Sequence, residues 1–171
     1  AHDENEMPFA VKEYLPATLA LRIKDGPAPV VPEENLAAFR YGLKCFFEEG
    51  RSLAGFTHAN VVRVLNFFRA NDTAYMVMRY ERGRTLQQHI QARQGALRED
   101  WVRQTFAQLL NGLREVHSCK MLHLDIKPAN IYVRNDGAPV LIDFGAARQT
   151  LGAAAGGFPP MYTPGYASPE H

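Results

Sequence analysis

The residues with the clearest chemical potential lie between positions 123 and 145. Residues 123–130 read HLDIKPAN, and residues 143–145 read DFG. Transfer of a phosphoryl group to a hydroxyl needs a carboxylate that orients the nucleophile and accepts its proton, a nearby cation, and oxygen ligands for Mg²⁺. Asp125, Lys127, Asn130 and Asp143 could together supply this set.

The same residue types are also common in ordinary turns, because Asp, Asn, Pro and Gly favour loop conformations. Under that alternative, both segments would be plain loops without chemistry. Two motifs in this order, separated by a predicted hairpin, favour the chemical interpretation.

The two motifs resemble the catalytic loop and the metal-binding motif of protein kinases. The resemblance implies that Asp125 is the catalytic base and that Lys127 neutralises charge on the γ-phosphate. It also implies that Asn130 and Asp143 bind Mg²⁺, with ATP as the phosphoryl donor.

Lys12, in the sequence Ala-Val-Lys, resembles the strand lysine that holds the α- and β-phosphates in kinases. Taken alone, it would more simply be an exposed strand lysine. The kinase lysine is oriented by a helix glutamate, and Glu48 and Glu49 compete for that role. Glu49 lies three residues after Phe46 and four before Leu53, on the apolar side of the predicted helix, so we choose Glu49.

Residues 76–83 (MVMRYERG) resemble the kinase hinge that contacts adenine. The resemblance implies that Met78 is the gatekeeper, that the backbones of Arg79 and Glu81 meet the base, and that Ala10 covers it. Tyr132 would form the floor. Two positions depart from the family, since kinases usually carry an acid at 79 and a smaller aliphatic residue at 132.

Residues 163–170 (TPGYASPE) resemble the substrate-docking loop and the Ala-Pro-Glu motif, with Ser168 in the alanine position. Lys127 and Thr163 together favour serine or threonine over tyrosine as the acceptor. The alternative for this stretch is a plain Pro/Gly turn.

Leu124 stands where kinases usually carry an arginine that ties a phosphorylated activation loop to the active site. We therefore hypothesise that phosphorylation of Thr150, Tyr162 or Thr163 does not assemble this site through the usual ion pair.

Hydrophobic periodicity indicates the elements that must position these residues. An irregular connection is expected over 16–32, and the Ala/Gly-rich stretch up to Pro160 is expected to be mobile. The predicted strands are 9–15, 61–68, 74–78, 131–133 and 140–142, and the predicted helices are 33–56, 86–93 and 99–118. In the last helix, one apolar stripe is formed by Val102, Phe106, Leu109, Leu113 and Val116. Part of the apolar surface of this helix is expected to be exposed, because this sequence ends before the helices that would cover it in the family.

The resemblance implies an α+β, protein-kinase-like bilobal fold in truncated form, with a small β lobe carrying one long helix and the first part of a helical lobe. Residues 1–78 would be the N-lobe, which lacks a glycine-rich loop before Lys12. Residues 79–83 would be the hinge, and 84–171 a partial C-lobe ending at the Ser-Pro-Glu motif.

Composition sets weaker limits. The chain has 171 residues, 46% hydrophobic and 22% charged, which is typical of one globular domain. Its formal charge of +1 favours neither nucleic acid nor a membrane surface as a partner. No apolar segment is long enough to span a membrane, and two cysteines without metal-ligand spacing fit a reducing compartment, so a cytoplasmic location is expected.

These observations favour an ATP-dependent protein kinase that acts on Ser/Thr of a protein substrate and resembles the bacterial Ser/Thr kinases. One alternative is a pseudokinase or truncated kinase that serves as a binding module, which the missing glycine-rich loop, Leu124 and Tyr132 favour. Another is a small-molecule kinase of the aminoglycoside phosphotransferase type, which the docking-loop motif disfavours.

Overall fold

The structure, a computed structural model, describes residues 8–23, 26–145, 148–149, 163 and 165–166. They divide into two compact units. The first contains the residues up to Phe56 together with Arg63–Tyr80, and the second contains Thr57–Val62 and the residues from Glu81 onward.

The first unit is a small antiparallel sheet with one long helix. Its elements are β1 (Phe9–Glu13), β2 (Leu21–Arg22), β3 (Pro29–Val30), α1 (Leu36–Ala54), β4 (Val64–Ala70) and β5 (Thr73–Arg79). The strand order is β1-β5-β4, and β2 pairs with β3 in a separate two-stranded sheet. Asn71 and Asp72 both have positive φ in the tight turn between β4 and β5, a conformation these residue types tolerate.

Helix α1 packs on this sheet through an apolar stripe. Phe39, Phe46 and Leu53 are buried, as are Ala74 and Met76 of β5. Full burial of each large side chain stabilises the unit by roughly 1.5–3 kcal/mol. The helix thus depends on the sheet for most of its stability.

The second unit combines two helices with short strands. Its elements are β6 (Gly83–Thr85), α2 (Leu86–Ala92), α3 (Glu99–Ser118), β7 (Met121–Leu122), β8 (Ile131–Arg134), β9 (Pro139–Leu141) and β10 (Arg148–Gln149). One sheet has the order β6-β8-β9, and β10 pairs with β7. Helix α2 begins with a capping box in which Thr85 and Gln88 satisfy each other's backbone N–H groups.

The buried stripe of α3 differs from the predicted one. Leu109 and Val116 are buried as expected, but Phe106 is 42% exposed. Thr105 and Gly112 occupy the buried line instead. A Cβ on Gly112 would lie 3.1 Å from both the Cβ and the carbonyl oxygen of Asn60, so the missing side chain at this position lets the helix pack tightly against Asn60. Phe106 and Leu110 leave apolar surface exposed, as expected for this helix.

The predicted strand 61–68 is also wrong at its start. Val61 forms a parallel bridge with Leu141, and the N–H of Val62 donates to the Leu141 carbonyl at 2.9 Å. Asn60 Nδ2 adds a buried hydrogen bond to the Pro139 carbonyl at 2.7 Å. These bonds hold the start of the predicted strand against β9 of the second unit, so β4 begins only at Val64.

The other predicted boundaries differ by a few residues. Helix 99–118 is confirmed, whereas the predicted helix 33–56 begins with a 3₁₀ turn at Glu33–Asn35 before α1. The segment predicted as irregular contains β2 and β3. The predicted hinge includes the last residue of β5 and the first of β6, so only residues 80–82 lie between strands.

A substitution at Gly83 tests how tightly strands β6 and β8 pack together. A Cβ at this position would lie 2.1 Å from the Val133 carbonyl oxygen, so we expect Gly83→Ala to lower the free energy of unfolding by about 2 kcal/mol or more, measured by urea titration. Gly55→Ala, whose nearest contact would be 3.5 Å, is the control and should change it by less than about 0.5 kcal/mol. Equal losses in both variants would contradict the crowding argument.

Candidate active site

A buried histidine organises the turn that carries the candidate base. His123 is 2% exposed, and its ring lies 4.4 Å from the ring of Phe144. The N–H of Asp125 donates to His123 Nδ1 at 3.3 Å, so His123 Nε2 carries the proton and donates to the Ile142 carbonyl at 3.2 Å. Burial, the largest influence, lowers the pKa of His123 and keeps the ring neutral. The ring thus joins the backbone at Asp125 to the segment just before Asp143.

Three side chains surround the carboxylate of Asp125. Thr163 Oγ1 donates to Oδ1 at 2.7 Å, and Asn130 Nδ2 donates to Oδ2 at 2.8 Å. Lys127 Nζ lies 2.7 Å from Oδ2 and also donates to Thr163 Oγ1 at 2.6 Å. A carboxylate, an ammonium and a hydroxyl therefore form one closed hydrogen-bonded group.

The charge state of Asp125 follows from these contacts. Burial by itself raises the pKa of this carboxyl, but the hydrogen bonds from Lys127, Thr163 and Asn130, with the charge of Lys127, outweigh it. The pKa of Asp125 is therefore held below its usual value, and the group is ionised at neutral pH. An ionised carboxylate can accept both a hydrogen bond and a proton from a hydroxyl.

Asn130 is held by the 3₁₀ turn Pro128–Asn130 and is 5% exposed. Its Nδ2 donates to the backbone carbonyl of Asp125 at 2.9 Å as well as to the carboxylate. Both amide protons are thereby used, and Oδ1 has no hydrogen bond to the described residues. That oxygen is available as a ligand for a cation.

The β8–β9 hairpin brings Asn130 and Asp143 to the same end of the sheet. Asn130 directly precedes β8, Asp143 follows β9, and Ile131 pairs with Leu141. The N–H of Ile142 donates to the Asn130 carbonyl at 3.0 Å. Asp143 has φ 60° and an exposed side chain, whereas the next residue, Phe144, is fully buried. This left-handed backbone directs consecutive side chains to different environments.

The first unit carries Lys12 and Glu49. Lys12 Nζ lies 3.4 Å from Glu49 Oε1, and the Glu49 side chain is only 7% exposed. Glu48 is 44% exposed and pairs with Arg51 at 2.6 Å. The structure therefore places Glu49 against the strand lysine and Glu48 toward solvent.

The residues predicted to contact adenine lie in both units. In the first unit, Ala10 of β1 pairs with Met78 of β5, and the Arg79 N–H donates to the Arg63 carbonyl at 2.9 Å. In the second, Tyr132 donates from its hydroxyl to the Glu81 carbonyl at 3.3 Å.

The predicted site residues did not include His123 or Phe144, although both lie inside the two motifs. Their structural role follows from burial and ring contact, which the one-dimensional pattern does not contain. Of the docking-loop motif, only Thr163, Gly165 and Tyr166 belong to the described residues; Ser168 lies outside them, as do Thr150, Tyr162 and residues 150–160.

A cavity of about 340 Å³ opens elsewhere in the second unit, beside α2, with Arg84, His89 and Trp101 in its wall. None of the candidate catalytic residues lines it. The described residues that line the cavity include no carboxylate, whereas the hydrogen-bonded group around Asp125 combines a carboxylate with an ammonium.

The described residues contain no cluster of three or more His, Cys, Asp or Glu side chains that could hold a metal ion. This is compatible with Mg²⁺, which is commonly bound by one or two protein oxygens together with substrate phosphates. No described helix is long and apolar enough to cross a membrane.

Cys45 and Cys119 are both exposed thiols.

The neutral state of His123 predicts a pH-dependent stability. Because folding lowers its pKa, the unfolded chain binds the proton more readily, and stability is lost as pH falls below about 6.5. The free energy of unfolding should fall by up to about 1.4 kcal/mol per pH unit in this range. His123→Phe should flatten that slope, whereas His117→Gln, at an exposed position, should retain it; equal slopes in all three proteins would contradict the assignment.

Comparisons with known proteins identify the family and the fold. The sequence model described as protein kinase domain matches residues 33–171. Serine/threonine-protein kinase Nek1 of Mus musculus is 37% identical over 158 residues, covering 90% of this chain and 13% of Nek1. Serine/threonine-protein kinase PknA of Nostoc sp. is 45% identical over 87 residues, covering 50% of this chain and 15% of PknA.

A solved structure, PpkA-294 in its apo form, has the same fold with a TM-score of 0.76 and 36% identity. The match covers 83% of this chain and 50% of that one. The chain thus spans a small part of its sequence relatives and half of this structural relative. The α+β, protein-kinase-like fold expected from the motifs is confirmed, and the chain belongs to the protein kinase family.

Proposed function

We propose that this chain carries the catalytic segment of an ATP-dependent protein kinase that phosphorylates Ser/Thr hydroxyls. The observation that carries the proposal is the contact between Asp125 and a threonine hydroxyl beside Lys127. An aliphatic hydroxyl, a carboxylate with a lowered pKa and an ammonium are the groups that hydroxyl phosphorylation needs at one point.

In this proposal, Asp125 orients the acceptor hydroxyl and takes its proton as the oxygen attacks the γ-phosphorus of ATP, and the bond from that phosphorus to the β-phosphate oxygen breaks to release ADP. Lys127 balances the negative charge that develops on the transferred group. Asn130 keeps the Asp125 carboxylate in place through its two amide hydrogen bonds. Thr163 contacts both Asp125 and Lys127, which supports its proposed place beside the protein substrate.

The residues present fit the binding of Mg²⁺. Asn130 Oδ1 has no hydrogen bond to any described residue, and Asp143 adds an exposed carboxylate at the same end of the hairpin. When bound, Mg²⁺ would neutralise charge on the nucleotide phosphates. This chain would contribute two metal ligands, the Asn130 amide oxygen and the Asp143 carboxylate.

Lys12 is proposed to bind the α- and β-phosphates of ATP, with Glu49 orienting its ammonium group. Ala10, Met78 and the backbones of Arg79 and Glu81 are proposed to contact adenine. Tyr132 would lie beneath the base. The hydrogen bond from Tyr132 to the Glu81 carbonyl supports a fixed position for that part of the predicted hinge.

Two conservative substitutions test the proposed chemistry in the full-length protein. Asp125→Asn removes the base and should lower kcat by about 10²–10⁴-fold, measured with labelled ATP, Mg²⁺ and a generic protein substrate. Asp143→Asn should also abolish most transfer, because it removes a proposed metal ligand.

Asp136→Asn is the matched control, since Asp136 is 68% exposed on its side chain and lies in the turn after β8. It should retain wild-type kcat. An inactive wild-type protein would favour the pseudokinase alternative. Phosphorylation of a small molecule but of no protein substrate would favour the aminoglycoside-kinase type of function.

Leu124 generates a separate prediction about regulation. Its aliphatic side chain is 38% exposed and cannot form an ion pair with a phosphate, so phosphorylation of the activation segment should not be required. We expect kcat/KM of the full-length protein to be unchanged after phosphatase treatment. A collapse of activity after that treatment would refute this prediction.

A further inference from the structure

The side chain of Tyr14 fills a notch in helix α1 at Gly42. A Cβ on Gly42 would lie 2.0 Å from the Tyr14 hydroxyl oxygen and 2.9 Å from its Cζ. Any larger residue at position 42 must therefore displace either the tyrosine ring or the helix. The contact joins the residue that follows β1 to the middle of the helix that carries Glu49.

Tyr14 is held firmly on the sheet side of this contact. Its N–H donates to the Ala74 carbonyl at 2.9 Å, and its carbonyl accepts from Thr73 Oγ1 at 2.5 Å. Thr73 and Ala74 are buried. The ring centroid lies 5.1 Å from that of Phe39 and 5.7 Å from that of Phe46, both on α1. The ring is thus fixed to the sheet through its backbone and to the helix through aromatic packing.

A second notch lies at Gly50, next to Glu49. A Cβ there would lie 3.0 Å from Cβ and 3.2 Å from Cγ of Phe67 on β4. The crowding atom is close to the backbone of Phe67 and cannot swing away easily. Helix α1 consequently approaches the sheet at two points that are about 12 Å apart along its axis.

The ion pair depends on this arrangement. Phe46 lies between the two notches, and Lys12 Nζ lies over its ring at 5.6 Å. Glu49 follows within one turn, and its carboxylate reaches Lys12 at 3.4 Å. At that distance, an outward movement of the helix by about 1 Å would separate the charges, and displacements of this size can reduce catalysis by up to about 100-fold.

We propose that Tyr14 and Gly42, together with Gly50, are positioning residues that set the depth of α1 on the sheet and thereby hold Glu49 against Lys12. The inference deepens the proposed function and rests on it, because the consequence for ATP requires that Lys12 binds the phosphates. The effect of Tyr14 and Gly42 on the distance between Lys12 and Glu49 does not depend on the proposed function.

The test uses Gly42→Ala, Tyr14→Leu and the double variant in the full-length protein. Gly42→Ala should push α1 outward, whereas in the double variant the alanine methyl group occupies space that the tyrosine ring has left. Tyr14→Leu alone removes the fixed ring without adding crowding. Gly55→Ala, at the end of α1 with an ordinary 3.5 Å contact, is the control.

The first measurement does not depend on catalysis. The rate at which an amine-reactive ester modifies Lys12 is determined by mass spectrometry, relative to the exposed Lys44. A lysine released from its carboxylate loses protonation more readily and reacts faster. Gly42→Ala and Tyr14→Leu should raise the relative rate severalfold, toward that of Glu49→Gln, whereas the double variant and Gly55→Ala should remain near wild type.

The second measurement is the KM for ATP and kcat, compared with the free energy of unfolding from urea titration. Gly42→Ala should lower kcat/KM for ATP by about 10- to 100-fold, with recovery in the double variant. Stability loss with unchanged Lys12 reactivity and unchanged kinetics would overturn the proposal, and so would failure of the double variant to recover either quantity.

Different results would contradict the positioning role of Tyr14 and Gly42 and the proposed kinase function. If Lys12 reactivity responds as expected but no variant, including wild type, transfers phosphate, the proposed kinase function fails and the positioning role stands. If wild type is active and Gly42→Ala retains both its kinetics and its Lys12 reactivity, the positioning role fails and the function stands. Should Gly42→Ala not fold, Tyr14→Leu alone decides by the same two measurements.

Discussion

The hydrogen bonding of the ionised Asp125 carboxylate is the interaction on which the candidate active site depends. Partial burial of a carboxylate costs free energy unless hydrogen-bond donors surround it, and Asn130 and Lys127 of the same loop provide them together with the distant Thr163. The same donors lower the pKa of the carboxyl and fix its orientation. The contacts that stabilise the charge therefore also keep the group ionised and fixed in orientation, so that its carboxylate oxygens remain hydrogen-bond acceptors at neutral pH.

The neighbouring elements can be understood from this requirement. His123 stays neutral because it is buried. Its Nδ1 accepts from the Asp125 N–H and its Nε2 donates to the Ile142 carbonyl, so the ring joins the Asp125 turn to the segment before Asp143. The β8–β9 hairpin then brings the side-chain oxygens of Asn130 and Asp143 to one end of the sheet. In the first unit, the ion pair of Lys12 and Glu49 similarly depends on how closely α1 can approach its sheet, which two glycines permit.

Predictions from local pattern succeeded where neighbours in sequence determine the structure. Helix 99–118 was predicted with its correct ends because acidic residues open it and its apolar residues recur with helical period. The pattern did not separate the exposed Phe106 from the buried residues of the stripe. Thr105 and Gly112, which hydropathy does not mark as core, are buried in this helix, and Gly112 packs against Asn60. The pattern was wrong at Val61, since hydrogen bonds to β9 compete successfully with the expected strand.

By itself, the sequence determined the family and the kinds of chemistry available, because the motif residues lie within a few positions of one another and their types are those that phosphoryl transfer uses. Only the tertiary structure decided that Thr163 reaches Asp125, that His123 is neutral, and that Tyr14 occupies the notch at Gly42. These are contacts between residues far apart in the chain. They depend on close packing and burial, and no local periodicity encodes how two surfaces will meet.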